Sequence, residues 1–445
     1  FRLSVFLIGG FIIVPIIVIF FQTLNLSFKD VIDFFNSNFL NYLNHTLVLI
    51  FLTSLYSLIF AVIPAFLVTF CNIQFKKLID LFLILPLAIP CYILAFSYSD
   101  MLGFNGPLFN FLNSYFNFNS DILNINWLSI FLALSLYPYV YVTSRISFSL
   151  IGSTYLNLSK SLNLSNYSVI FKVILPLSFS GIFSGLMLVI MELLNEYGAV
   201  KYFGVETFSV GIFKYWFSLD NKSISIFLSI ILLMLVLFLV FLSNYFSKKD
   251  EKIRYHVKSS INNYFLYDKS YLNLFFYFVI ITPVFFGFIV PLLYIINNVI
   301  SNFNGYNFYE LFELTVNTTH VALISSILIV LISFYLLNIK RLMKNIYVNN
   351  ILKIITTGYA IPGAVIGFSI MLFIRFFDLT FLMGTLYLLI YAYIFRFMSV
   401  AIFPIQSSLD RQPMLFDKQA KSLKSSYFKI FSKITYPLNK NALLS

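Results

Sequence analysis

The chain has 445 residues, 60% of them apolar, 20% aromatic and only 10% charged, with a net charge of +12. A soluble fold of this size carries roughly 25% charged residues, so the composition excludes a cytosolic enzyme and a disordered chain and places the protein in lipid. Two cysteines, Cys71 and Cys91, are too few for a disulfide framework or a cysteine metal site.

In chain order, apolar runs long enough to cross a bilayer fall at 3–22, 46–70, 79–99, 126–144, 178–197, 224–246, 273–297, 318–338, 355–375 and 380–401. These predict ten transmembrane helices. With the N-terminus on the cytoplasmic side, only Lys29, Lys201, Lys214, Lys222 and Arg375 of the 29 Lys and Arg residues face outward. That asymmetry is the positive-inside pattern, and the opposite orientation would invert it. The excess charge therefore orients the chain beside membrane lipid, and no nucleic acid is needed as a partner. The segment 247–272, with Lys248–Lys249–Asp250–Glu251–Lys252, is the one long polar break. It divides the sequence into a first module, 1–246, with six spans, and a second, 273–445, with four.

The two modules repeat one another. AIPCYILAFS at 88–97 matches AIPGAVIGFS at 360–369, Asn44–Leu47 (NHTL) matches Asn317–His320 (NTTH), and Tyr137–Val140 (YPYV) matches Tyr391–Ile394 (YAYI). The pairs keep the same order, which predicts two like helical bundles facing each other across a pathway. A fourth pair lies outside the spans. NLSKSLNLSNYSVIFKVILP at 157–176 has the spacing of KQAKSLKSSYFKIFSKITYP at 418–437.

This last pair resembles the cytoplasmic loop signature of ABC-importer membrane subunits: Glu-Ala-Ala, three residues, Gly, nine residues, Ile, one residue, Leu-Pro. On that spacing Asn157, Leu158 and Ser159 stand at Glu-Ala-Ala and Asn163 at the Gly, with Leu162 just before it and Pro176 closing the motif. In the second copy Lys418, Gln419 and Ala420, then Leu423, Lys424 and Pro437 take those places. The Glu is absent from both copies. Asn tolerates the left-handed conformation the Gly supplies, and Lys does so less readily. Leu158 and Leu162 are four apart, so the loop helix has an apolar face suited to a groove on a partner. The bland alternative is a surface helix that joins two spans.

The resemblance implies an all-α integral membrane permease of the type I ABC-importer class, made of two tandem helix bundles. It also implies a bacterial inner membrane location, two ABC ATPase subunits at the cytoplasmic face and a periplasmic solute-binding protein at the outer face. The chain itself is expected to be no enzyme and to need no cofactor. None of its 16 Gly residues precedes a Lys, so it has no P-loop, and ATP hydrolysis falls to separate subunits.

Residues 191–216, MELLNEYGAVKYFGVETFSVGIFKYW, resemble a stretch of the fused, two-half ferric-iron importers. Glu192, Glu196, Tyr197 and Tyr202 are the candidate pathway residues there. Two carboxylates four apart lie on one helical face, and hard cations prefer oxygen ligands. Iron would pass transiently, with no stable metal site. No ligand role is assigned to His45, His256 or His320. Packing or solvation of the two glutamates is the competing reading. Thiamine, a polyamine or another small solute is the alternative cargo, and an ion-gradient-driven secondary transporter or a non-transporting scaffold the alternative class. By the repeat, two more spans are expected after Pro437, so the chain reads as C-terminally truncated, consistent with Phe1 in place of Met.

Overall fold

A computed structural model describes residues 2–71, 73–104, 106–116, 121–151, 153–254, 270–305, 307–343, 346–356, 358, 361–412, 419, 422, 433 and 435–444. Among the described residues every regular element is a helix, and the chain is a multi-pass membrane protein. Among the described residues, eight helices are long and apolar enough to span a bilayer, and one bent pair makes a ninth.

The elements, in order, are α1 (Arg2–Gln22), α2 (Phe28–Ser37), α3 (Phe39–Phe70), α4 (Lys76–Phe82), α5 (Cys91–Leu102), α6 (Pro107–Phe116) and α7 (Ile125–Ser149). There follow α8 (Ser153–Ser161), α9 (Asn166–Asn195), α10 (Gly198–Tyr202), α11 (Phe208–Phe213), α12 (Lys222–Arg254) and α13 (Phe275–Ser301). The last five are α14 (Phe308–Met343), α15 (Ile346–Thr356), α16 (Gly363–Phe376), α17 (Leu386–Arg411) and α18 (Tyr436–Leu444).

Two of the ten expected spans are not single straight helices. The run 79–99 is broken: Lys76–Ala88 and Cys91–Leu102 meet at 84°. Pro86 and Pro90 explain the break, since neither donates a backbone hydrogen bond and Pro90 holds the extended φ/ψ of −54° and 140° just ahead of α5. The run 355–375 yields only the 14 residues of α16, again preceded by a proline, Pro362, at φ −57° and ψ 137°. The Ile-Pro pairs of the two AIP segments thus occupy the same structural place at the start of a helix. A third difference is that α12 runs through the expected start of the polar linker to Arg254. Residues 255–269 of that linker lie outside the described residues.

Two compact units are present, Phe1–Leu26 with Tyr306–Ser445, and Ser27–Gly305. In the second, α7 is the central helix, flanked by α3 and α9, and it buries Phe131, Tyr137, Tyr141 and Phe148. Small residues on α7 and α9 bring their backbones together. A Cβ on Gly185 would sit 2.1 Å from Thr143 Oγ1 and 2.7 Å from Val140 Cα. In lipid, where burial of apolar surface between helices is not a driving force, such close packing holds helices together. α13 belongs to this unit: Tyr98 donates to Phe286 O at 2.6 Å, and Tyr277 accepts from Gln74 N at 2.9 Å.

In the other unit, α14 lies along α17, and α1 packs on α15 and α16. Tyr391 donates to the backbone carbonyl of Phe11, Ser4 shares a hydrogen bond with Tyr335, and Gly9 abuts Ile351. Division by packing therefore differs from division by repeat, 1–246 and 273–445. The first span of each sequence half, α1 and α13, packs among helices of the other half.

Candidate functional site

α7 ends at Ser149 and the chain turns into α8. α8 stops because Asn163 takes the left-handed conformation, at φ 51°. The Leu164 N–H then reaches back to Ser159 O at 3.1 Å, while the Leu162 N–H bonds Leu158 O at 3.0 Å. This is the six-to-one wrap that ends many helices at a Gly or Asn. Ser165 starts α9 at once, its side chain accepting from Ser168 N at 3.3 Å. Within α9 the residues Ile170–Ile174 widen into a π-turn ahead of Pro176, which lacks the N–H that would bond the Lys172 carbonyl.

α8 buries Leu156 and Ser159, at 1% and 3% exposure, with the Ser159 hydroxyl donating to Tyr155 O at 2.8 Å. Leu158 and Leu162 point the other way, 56% and 71% exposed, and Tyr167 and Phe171 extend this apolar surface onto α9. Asn157 and Pro176 are also exposed. In the second copy of the motif, Gln419 is exposed and its carbonyl accepts from the Ser422 hydroxyl at 2.7 Å, and Pro437 is exposed near the start of α18. Lys418, Ala420, Leu423 and Lys424 lie outside the described residues.

At about 1.5 Å per residue, α9 carries the chain some 45 Å to its other end. Glu192 is half-buried on its last turn. Glu196, just beyond, is half-buried too, and its Oε1 accepts from Ala199 N at 2.9 Å, capping α10. Its backbone carbonyl accepts from the Ser209 hydroxyl at 3.2 Å. The Tyr197 ring meets Phe213 edge-on at 5.0 Å, with the Lys201 ammonium 5.4 Å from its centroid. Tyr202 packs edge-on against Phe96 at 5.5 Å. Lys214 pairs with Glu206 at 2.6 Å. Lys201, Glu206 and Lys214 line a cavity of about 290 Å³ with Tyr197, Phe213 and Phe217 as its aromatic walls, and neither Glu192 nor Glu196 reaches it. Glu196 thus has a local structural task, and Tyr202 does not line this cavity.

Sequence reasoning missed the polar cluster at the loop end of the same unit, treating Arg145 only as an orienting charge. Arg145 grips Asp80 with both prongs of its guanidinium, Nε to Oδ1 at 3.1 Å and Nη2 to Oδ2 at 3.3 Å. Its Nη1 donates to Thr69 Oγ1 at 3.2 Å, Tyr141 donates to Asp80, and Lys76 donates to Thr69 O at 3.2 Å. The cluster ties α3, α4 and α7 together a few residues before α8. The available signal was Tyr141 and Arg145, four apart on one helical face and both able to serve one carboxylate.

Residues 57–250 match the family model described as "Binding-protein-dependent transport system inner membrane component". The match runs from within α3 into α12 and so contains the broken α4–α5 pair, α8 with Asn163, and the cavity beyond α9. No curated protein matches the chain. By this match residues 57–250, less than half of the chain, are similar to a membrane permease domain of transport systems that depend on a binding protein.

Proposed function

We propose that the chain is the permease subunit of an ABC importer, non-catalytic itself, with α8 as the element through which separate ATPase subunits act on the spans. The observation that carries this is the α8–Asn163 turn: an exposed apolar ridge of Leu158, Leu162, Tyr167 and Phe171 on a rigidly terminated helix. A buried underside at Leu156 and Ser159, with Leu156 in the hydrophobic core of the unit, is the side through which a push on that ridge passes inward. The second copy at 418–437 supplies the matching contact for a second ATPase subunit. On this reading the loop end faces the cytoplasm, the N-terminus is cytoplasmic, and the cavity near Lys201 and Lys214 faces the solute-binding protein of a bacterial inner membrane system. ATP-driven closure of the partners shifts the two loop helices and rocks the spans between inward-open and outward-open states.

Ferric iron is the proposed cargo. Its support is the likeness of residues 191–216 to the ferric-iron importers, with Glu192, Glu196, Tyr197 and Tyr202 grouped at the far end of α9. Replacing Leu162 by Glu puts a charge on the ridge without touching the buried side of α8. With the ATPase subunits co-expressed, L162E should lose their co-purification and iron uptake while the permease stays in the membrane. Unchanged co-purification and uptake would overturn the coupling role, and uptake of labelled thiamine or polyamine in place of iron would overturn the cargo alone.

A further inference from the structure

Arg396 stands in the middle of α17. The span Leu386–Asp410 places it about 15 Å from one end and about 21 Å from the other at ~1.5 Å per residue, too far for its side chain to reach either boundary. The only carboxylate on the helix is Asp410, at the far end. The Arg396 Nε is buried with no hydrogen-bond partner among the described residues, and neither ion pair found among them includes it. Its guanidinium carbon lies 5.4 Å from the centre of the Phe397 ring. Gly363, at the start of α16, leaves the group room: a Cβ there would lie 2.7 Å from Nη1. The N-terminal end of a helix is itself positive, so this neighbour adds to the charge and does not offset it.

The cation is not a packing requirement of the helix pattern. Where Tyr137–Val140 is set against Tyr391–Ile394, the position of Arg396 is Val142 in the first copy. Arg396 is only half-buried. A half-exposed guanidinium at mid-span faces either hydrocarbon or a water-filled interior, and only the interior hydrates it. Ser399, 1% exposed, is likewise left with an unpaired hydroxyl among the described residues. Residues three apart share a helical face, so two unused donors lie on one side of α17. A charge so placed calls for an anion.

We propose that Arg396 receives an anionic oxygen of the cargo, and that iron therefore crosses as an anionic carboxylate chelate and not as the bare ion. A bare trivalent cation is repelled by an unpaired guanidinium in a low-dielectric interior, whereas a chelate of net negative charge is attracted. A free carboxylate of the chelate also matches the planar fork of the guanidinium. The chelate rests on the cargo reading above; the anion contact does not.

The test begins with the full chain in proteoliposomes, with Cys71 and Cys91 replaced and Ala392→Cys introduced one turn before Arg396, at a half-buried position on the same face. The new thiol is offered a methanethiosulfonate carrying a sulfonate and, separately, one carrying a trimethylammonium, each rate taken relative to a free thiol. The sulfonate reagent should be favoured about tenfold, and Arg396→Gln should erase the preference. No reaction with either reagent, or a preference that survives Arg396→Gln, would overturn the anion contact. With the ATPase subunits and the solute-binding protein co-reconstituted, ferric citrate labelled in both iron and citrate then reports what crosses. The two labels should enter together. Arg396→Gln should lower that uptake about tenfold while ATPase co-purification stays as in the parent, and Arg396→Lys should retain most of it. Iron entering without citrate, or parental uptake by Arg396→Gln, would overturn the chelate. A thiol preference that depends on Arg396, with uptake of neither label, would instead overturn iron as the cargo and support the anion contact.

Discussion

Asn163 is one residue on which the loop geometry turns. A left-handed backbone costs an L-residue about 1–2 kcal/mol, least for Asn, whose short polar side chain bonds locally, and most for a β-branched residue. At φ 51°, Asn163→Gly should keep the loop intact, whereas Asn163→Val should destabilise the α8 turn by about 1–2 kcal/mol. Hydrogen exchange at Leu162 and Leu164 reads this directly, because their amides make the closing bonds. Equal exchange in the two variants would mean the turn does not depend on that conformation. The left-handed turn was legible in the sequence from the residue type at the Gly position of the motif. The burial of Ser159 rather than Leu158 was not, because an isolated nine-residue helix has no inside until the rest of its unit packs against it.

Among elements, the decisive contact is the clamp of Asp80 by Arg145. It fastens the first limb of the broken span to the end of α7, and α7 leads into α8. The partners are about a quarter exposed, 23% and 30%, so the pair is worth less than a fully buried one and more than a surface one. Arg145→Lys keeps the charge but loses the two-pronged geometry and the bond to Thr69. It should lower stability by about 1–3 kcal/mol, seen as a lower unfolding temperature in detergent. A variant as stable as the parent would reduce the clamp to a single ion pair. Sequence alone placed both residues near one end of the bundle, but pairing across 65 positions depends on how α4 folds back beside α7. The bend of α4–α5 itself was foreshadowed by Pro86 and Pro90, although the hydropathy of 79–99 read as one continuous span.

For the molecule as a whole, the exchange of α1 and α13 between the repeat halves makes a sharp test of the packing. A Cβ built on Gly9 lies 3.8 Å from Ile351 Cβ, the mean separation across a disulfide. Gly9→Cys with Ile351→Cys, in a background lacking Cys71 and Cys91, should therefore form an intramolecular disulfide on mild oxidation. Mass spectrometry of unreduced peptides would detect the 9–351 link. Only intermolecular links, or none, would return α1 to its own sequence half.

The amino-acid sequence by itself determined that the chain is a helical membrane protein, because sixty per cent apolar composition in runs of about twenty residues admits no other solvent. It also set out the paired AIP segments and the like spacing of 157–176 and 418–437, since spacing and Pro, Gly or Asn positions are local properties of the backbone. Tertiary structure alone decided which helices share a unit, which side of α8 is buried, and which charges meet. Lipid-facing and protein-facing apolar residues are chemically alike, so in a membrane the pattern that marks the inside of a soluble fold is missing, and only packing assigns partners.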